Sequence, residues 1–125
     1  MDKSLVNEEA HGLVISKAEH LIIKQAILNY LRTGSPDDLS LLLNLIELHL
    51  AKEERLHVLE SKELRLLHER NKELFVKGSI DKQLMAMMIR EFMRHDDELN
   101  EEIKAKDCGV DMEIEKAMKT LLMNA

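Results

Sequence analysis

The residues with chemical potential in this chain are histidines and carboxylates that fall on otherwise apolar helical stripes. His49 and Glu53 are one helical turn apart in a segment rich in leucine, whose stripe runs Leu42, Leu45, Ile46 and Leu56. His68 shares a face with Leu64 and Phe75, and Lys72 follows one turn later on the same side. Asp96 sits inside the stripe Met85, Met88, Ile89, Phe92, Leu99 and Ile103, with His95 at its edge. His20 lies with Leu13, Ile27 and Leu31. Such groups are costly against a leucine core unless they find partners. Histidine and carboxylate donors projecting from facing helices are how a bundle builds a metal centre in its core. A donor set free of thiolate suits iron, manganese or zinc.

Plainer readings compete at each position. A lone histidine on an apolar face is most often a hydrogen-bonded core residue. His49 and Glu53 also fit an i,i+4 surface pair. His11 and His57 fall off the stripes and read as solvated. Met85, Met87, Met88 and Met93 read as gap-filling in a core poor in aromatics. Glu98, Glu101 and Glu102 read by default as a solvated face, and the lone Cys108 as a loop cysteine without a role.

The elements that must position these groups follow from the breaks. Gly34-Ser35-Pro36 is a helix stop followed by an N-cap and a first-turn proline, and Asp38 completes a capping-box-like spacing. Gly78-Ser79, Asp107-Cys108-Gly109 and, more weakly, Glu60-Ser61-Lys62 mark the other breaks. The pattern predicts helices near 12–32, 37–59, 62–77 and 80–106, with a short amphipathic fifth helix over 111–123. Short connections between long helices favour antiparallel neighbours, so the expected fold is an all-α, up-down-up-down four-helix bundle with a short C-terminal helix.

Composition agrees. The 125 residues suffice for a single domain, read as spanning 1–125, and 45 % of them are hydrophobic. Only Tyr30, Phe75 and Phe92 are aromatic, and one proline and four glycines leave little turn material, which excludes a sheet protein. A net charge of −6 argues against a nucleic-acid partner. No apolar run reaches the ~18 residues of a membrane span, and residues 1–7 lack the apolar core of a signal peptide. The expected location is cytoplasmic. One cysteine excludes an intramolecular disulfide and a cysteine-based zinc cluster.

The segment from Ile15 to Leu21, containing His20, resembles the first-helix motif of hemerythrin-like proteins. His49-Leu50-Ala51-Lys52-Glu53-Glu54 resembles their H-x-x-x-E-E motif, and His68 falls where the third-helix H-x-x-x-H motif begins. Phe92 stands where a tryptophan often precedes the last-helix histidine. The resemblance covers residues 13–103. It implies a non-haem di-iron centre: His20 and His49 on one iron, His68 on the other, and Glu53 and Glu101 as bridges. It also implies dioxygen as the small-molecule partner.

Two positions depart from the family pattern. Lys72 stands at the second histidine of H-x-x-x-H, and Asp96 at the helix-4 histidine. Their opposite charges predict a pair across the bundle, with the ammonium in the place of one metal. A one-residue slip in the helix 3–4 connection makes His95 the ligand instead. The first functional expectation is a non-haem iron protein that binds dioxygen or handles iron (binding, sensing or storage) through two metals or one. The second is a metal-free helical interaction module in which a Lys72–Asp96 pair replaces a metal. In that case the tail helix, with Met112, Ile114, Met118, Leu121 and Leu122, docks a partner or a second copy as a homo-oligomer. An oxygen-activating enzyme is a third reading, for which the sequence carries no channel signature.

Overall fold

A computed structural model describes residues 3–56, 60–103 and 108–123, with side chains over 16–56, 60–102 and 109–123. The described residues form five helices: α1 (Lys3–Thr33), α2 (Pro36–Leu56), α3 (Lys62–Val76), α4 (Lys82–Ile103) and α5 (Cys108–Met123). Among them there is no strand, and no helix is long and apolar enough to cross a membrane. All of His57, and the side chains of His11, Leu13, Ile103 and Cys108, lie outside the described residues.

The breaks at Gly34-Ser35-Pro36, Glu60-Ser61-Lys62 and Gly78-Ser79 act as the sequence suggested, whereas Cys108 and Gly109 lie inside α5 and Asp107 lies outside the described residues. Gly34 ends α1 with a positive φ of 64°, its amide bonding the Tyr30 carbonyl at 2.7 Å. Ser35 then caps α2, its Oγ accepting from the Asp37 amide at 3.1 Å ahead of Pro36. Ser61 caps α3 by accepting from the Leu64 amide at 3.2 Å. Gly78, at φ 78°, closes α3, and the Ser79 amide reaches back to the Leu74 carbonyl at 2.9 Å. Asp81 opens α4, its carboxylate accepting from the Leu84 amide at 3.1 Å. α1 begins at Lys3, well before the predicted 12. α5 runs through Gly109 from Cys108.

α1 packs against α2, α4 and α5, while α3 packs against α2 and α4. The core between them is Ile23, Ile27, Leu39, Leu42, Ile46, Leu64, Met88, Ile89 and Phe92, all buried. Ile114 and Met118 of α5 are buried in the same cluster, whereas Met112 of that stripe is exposed and Leu121 and Leu122 are half-buried. Leu56 ends α2 exposed rather than on the stripe, and Leu50 is buried in its stead. Toward one end of this core the apolar side chains give way to polar ones from α1, α2 and α4.

Candidate metal centre

Three helices present polar side chains inward at one-turn spacing. α1 contributes Ser16, His20 and Lys24, α2 contributes His49 and Glu53, and α4 contributes His95, Asp96 and Asn100, all buried. The spacing of three and four residues keeps each set on the face that carries the helix's own apolar core residues. Leucines and isoleucines pull the faces inward, and the polar groups are carried in with them. Phe92 walls the cluster, its ring centroid 5.0 Å from that of His20.

His20, His49, His95 and Glu53 each offer a ligand atom, and these atoms all lie within 4.8 Å of one another. His20 Nε2 is 2.9 Å from His49 Nε2. Glu53 Oε2 is 3.1 Å from His49 Nε2 and 3.7 Å from His20 Nε2. His95 Nε2 is 2.9 Å from Glu53 Oε1. Donors held about 2.1 Å from one ion stand roughly 3–4 Å apart, and the contacts above run from 2.9 to 3.7 Å.

The far sides of the rings are held by carboxylates. His20 Nδ1 lies 2.8 Å from Asp96 Oδ1, and His49 Nδ1 lies 3.0 Å from Glu19 Oε1. An ionised carboxylate only accepts, so both Nδ1 atoms carry hydrogen. With both rings neutral the two Nε2 atoms would be lone pairs facing each other across 2.9 Å, beside a third acceptor, Glu53. Such a cluster of acceptors is completed by a proton or by a cation. Carboxylates on Nδ1 are also the usual outer support of metal-binding histidines, fixing tautomer and ring orientation.

The electrostatics state the same demand. Burial alone would raise the Glu53 pKa, but hydrogen bonds from His20, His49 and His95 outweigh it and hold the carboxyl well below the usual range. Burial alone would lower His49, but Glu53 and Glu19 raise it above an ordinary histidine. Asp96, against the upward push of burial, is held at about 2 by His20 and Lys24. Ser16 Oγ donates to Glu53 Oε2 at 2.8 Å, and Asn100 Nδ2 donates to Asp96 Oδ2 at 3.0 Å.

No family model, curated protein or solved structure matches this chain.

Of the residues singled out in the sequence, the structure brings together His20, His49, Glu53 and His95, with Asp96 directly behind His20. It is His95 rather than Asp96 that reaches the shared space. His68 is buried but elsewhere: its Nε2 donates to the Leu43 carbonyl at 2.9 Å. Its Nδ1 is 3.2 Å from Glu47 Oε2 without making a hydrogen bond. Burial keeps that ring's pKa low. Glu101 is exposed on α4. Lys72 is exposed on α3, beside a shallow pocket with Ser40, Asn44 and Glu47, and the expected Lys72–Asp96 pair is absent. The reason is register. α3 turns Leu64, His68 and Asn71 inward, and position 71 rather than 72 continues that face.

The buried ammonium beside Asp96 belongs to Lys24, while that of part-buried Lys17 stands 4.0 Å from Asp96 Oδ1. The Lys24 side chain is fully buried, and Nζ pairs with Asp96 Oδ2 and, at 2.7 Å, with Asp111 Oδ1 of α5. The sequence carried the signal: Lys24 is one turn past His20 on the stripe that continues to Ile27. Glu19 and Ser16 were also missed. Glu19 flanks His20 at a boundary position, and Lys52 pairs with its other oxygen at 2.7 Å.

Proposed function

We propose that this protein is a helical bundle holding one non-haem metal ion on His20, His49, His95 and Glu53, and that it handles dioxygen or iron through that ion. The bundle is α1 to α4 in up-down-up-down order, with α5 laid over α1 and α4. The observation that carries the reading is the set of buried acceptors with their outer nitrogens already committed to Asp96 and Glu19. Three imidazoles and one carboxylate suit iron, manganese or zinc. Iron is the choice that fits the hemerythrin-like pattern around His20 and His49.

Bound iron would supply redox chemistry and an open coordination position. The chain's own residues do the rest. Asp96 and Glu19 orient the rings, Ser16 holds the Glu53 carboxylate, and Phe92 with the leucine core keeps bulk water away. The site has donors for one ion, since His68 and Glu101 lie apart from it. A two-electron carrier of the di-iron kind is therefore disfavoured against sensing, or storage of the metal.

The test is metal analysis and absorption spectroscopy after anaerobic reconstitution with iron(II) and exposure to air. One iron per chain with new ligand-to-metal bands supports the proposal. Bound iron without bands removes dioxygen chemistry, and no bound metal removes the centre.

One observation favours a metal-free interaction module as the second reading. Each buried charge already has a protein partner, Glu53 with His49 and Asp96 with Lys24. On this reading added metal does not raise the melting temperature, because a metal without a site in the native state cannot stabilise it.

A further inference from the structure

The least expected group in the core is Lys24. It is among the largest fully buried side chains of the molecule, and it is cationic. Around its ammonium stand carboxylates from two helices: Asp96 of α4, Asp111 of α5, and Asp97 close to both. Ligand oxygens of these three aspartates lie within 4.8 Å of one another, a grouping that could hold a cation on its own. The Lys24 pKa moves upward despite burial, because Asp111 and Asp96 favour its charged form.

The two clusters share a member. Asp96 Oδ1 faces His20 Nδ1, and Oδ2 faces Lys24 Nζ. One carboxylate thus links the imidazole site to the ammonium. Buried lysine is rare, because an isolated buried charge costs far more than a packed apolar side chain.

We infer that Lys24 is a built-in cation that takes the place of a second metal ion and fixes the stoichiometry of the centre at one. The inference rests on the proposed one-metal site, which it deepens. The ammonium neutralises Asp96 and Asp111, ties α5 to α1 and α4, and keeps Asp96 aimed at His20. Without it the aspartates form an all-oxygen pocket of the kind that hard divalent cations take.

The experiment is equilibrium dialysis of the full chain against manganese(II), with metal counted per chain. Wild type takes one ion. Lys24→Ala takes one more than wild type, and Lys24→Ala with Asp111→Asn loses that extra ion. If Lys24→Ala does not fold without metal, circular dichroism after adding manganese(II) decides. Recovery of helix supports the inference, and failure to recover overturns it. A folded Lys24→Ala that binds no more metal than wild type overturns it, as does wild type binding two. Wild type binding none refutes the one-metal reading itself, whereas the role of Lys24 is read from the difference between variant and wild type.

Discussion

His20 Nδ1 lies 2.8 Å from Asp96 Oδ1, and the opposite nitrogen of the same ring lies 2.9 Å from His49 Nε2. Asp96 thereby decides which nitrogen of His20 is free to bind. It also neutralises Lys24, so it stands between a proposed ligand and a buried charge.

Replacing Asp96 separates those two duties. Asp96→Asn keeps the shape but removes the charge, and an amide can present its donor to His20 and reverse the tautomer. Metal affinity is expected to fall ~10–100-fold, the usual cost of losing an outer support. Stability is expected to fall by about 3 kcal/mol, the low end for breaking a buried pair, because Asp111 still faces Lys24. Urea unfolding without metal and competitive metal titration read the two effects separately. Glu19→Gln should weaken binding through His49 in the same direction and cost less stability, because Glu19 is only half-buried.

The structure places His95 in the cluster and His68 outside it, which yields opposite expectations for two alanine variants. His95→Ala should reduce metal affinity by more than an outer-support change does, with the bound metal per chain falling in dialysis. His68→Ala should leave the metal content unchanged. It should destabilise the fold by about 1–3 kcal/mol, because it removes buried packing and the bond to the Leu43 carbonyl. Loss of metal from the His68 variant would restore the two-metal arrangement implied by the hemerythrin-like resemblance.

The helices and most of the site were legible because both rest on local periodicity. Gly34, Ser61 and Gly78 end or begin helices by backbone chemistry that is written in the sequence. The pair His49 and Glu53 stands out because four residues make one turn. What periodicity does not give is rotation to within one residue. On α3 that error turned Lys72 inward, although Asn71 is the buried residue. On α4 it left His95 and Asp96 as alternatives, whereas both are buried in different roles. Lys24 was overlooked because lysine is rarely buried, and its partner Asp111 is 87 positions away, on α5.

Stability should depend on pH at both ends in the metal-free protein. The folded pKa values of Glu53 and Asp96 are depressed, Asp96 from 3.8 to about 2. Their contribution is complete above the unfolded carboxylate values and is lost as the pH falls from about 4 toward 2. The pKa of His49 is raised. Its contribution is complete below about 6.5 and is lost as the pH rises through its folded value. Urea midpoints in chelator should therefore fall as the pH drops below about 4, and fall again as it rises from about 6.5 through the folded value of His49. Bound metal replaces the proton on His49, so the alkaline loss should vanish with metal present, and metal affinity should rise with pH. An alkaline loss that persists unchanged in saturating metal would mean that the metal does not engage His49.

Lys72 provides the sharpest contrast with Lys24. The hemerythrin-like pattern has histidine at the position that Lys72 would match, and the simplest route to that pattern is Lys72→His. In this structure position 72 is exposed on α3, while α3 sends no ligand atom into the cluster of His20, His49, His95 and Glu53. The new imidazole would face the shallow pocket near Ser40, Asn44 and Glu47. Lys72→His is therefore expected to keep one metal per chain, and to change stability by no more than about 0.5 kcal/mol, as exposed substitutions usually do. Metal analysis of the reconstituted variant checks the first expectation and urea unfolding the second. A second bound ion in Lys72→His would require α3 to rotate His68 and position 72 inward together, and that outcome would overturn the placement of α3 against α2 and α4.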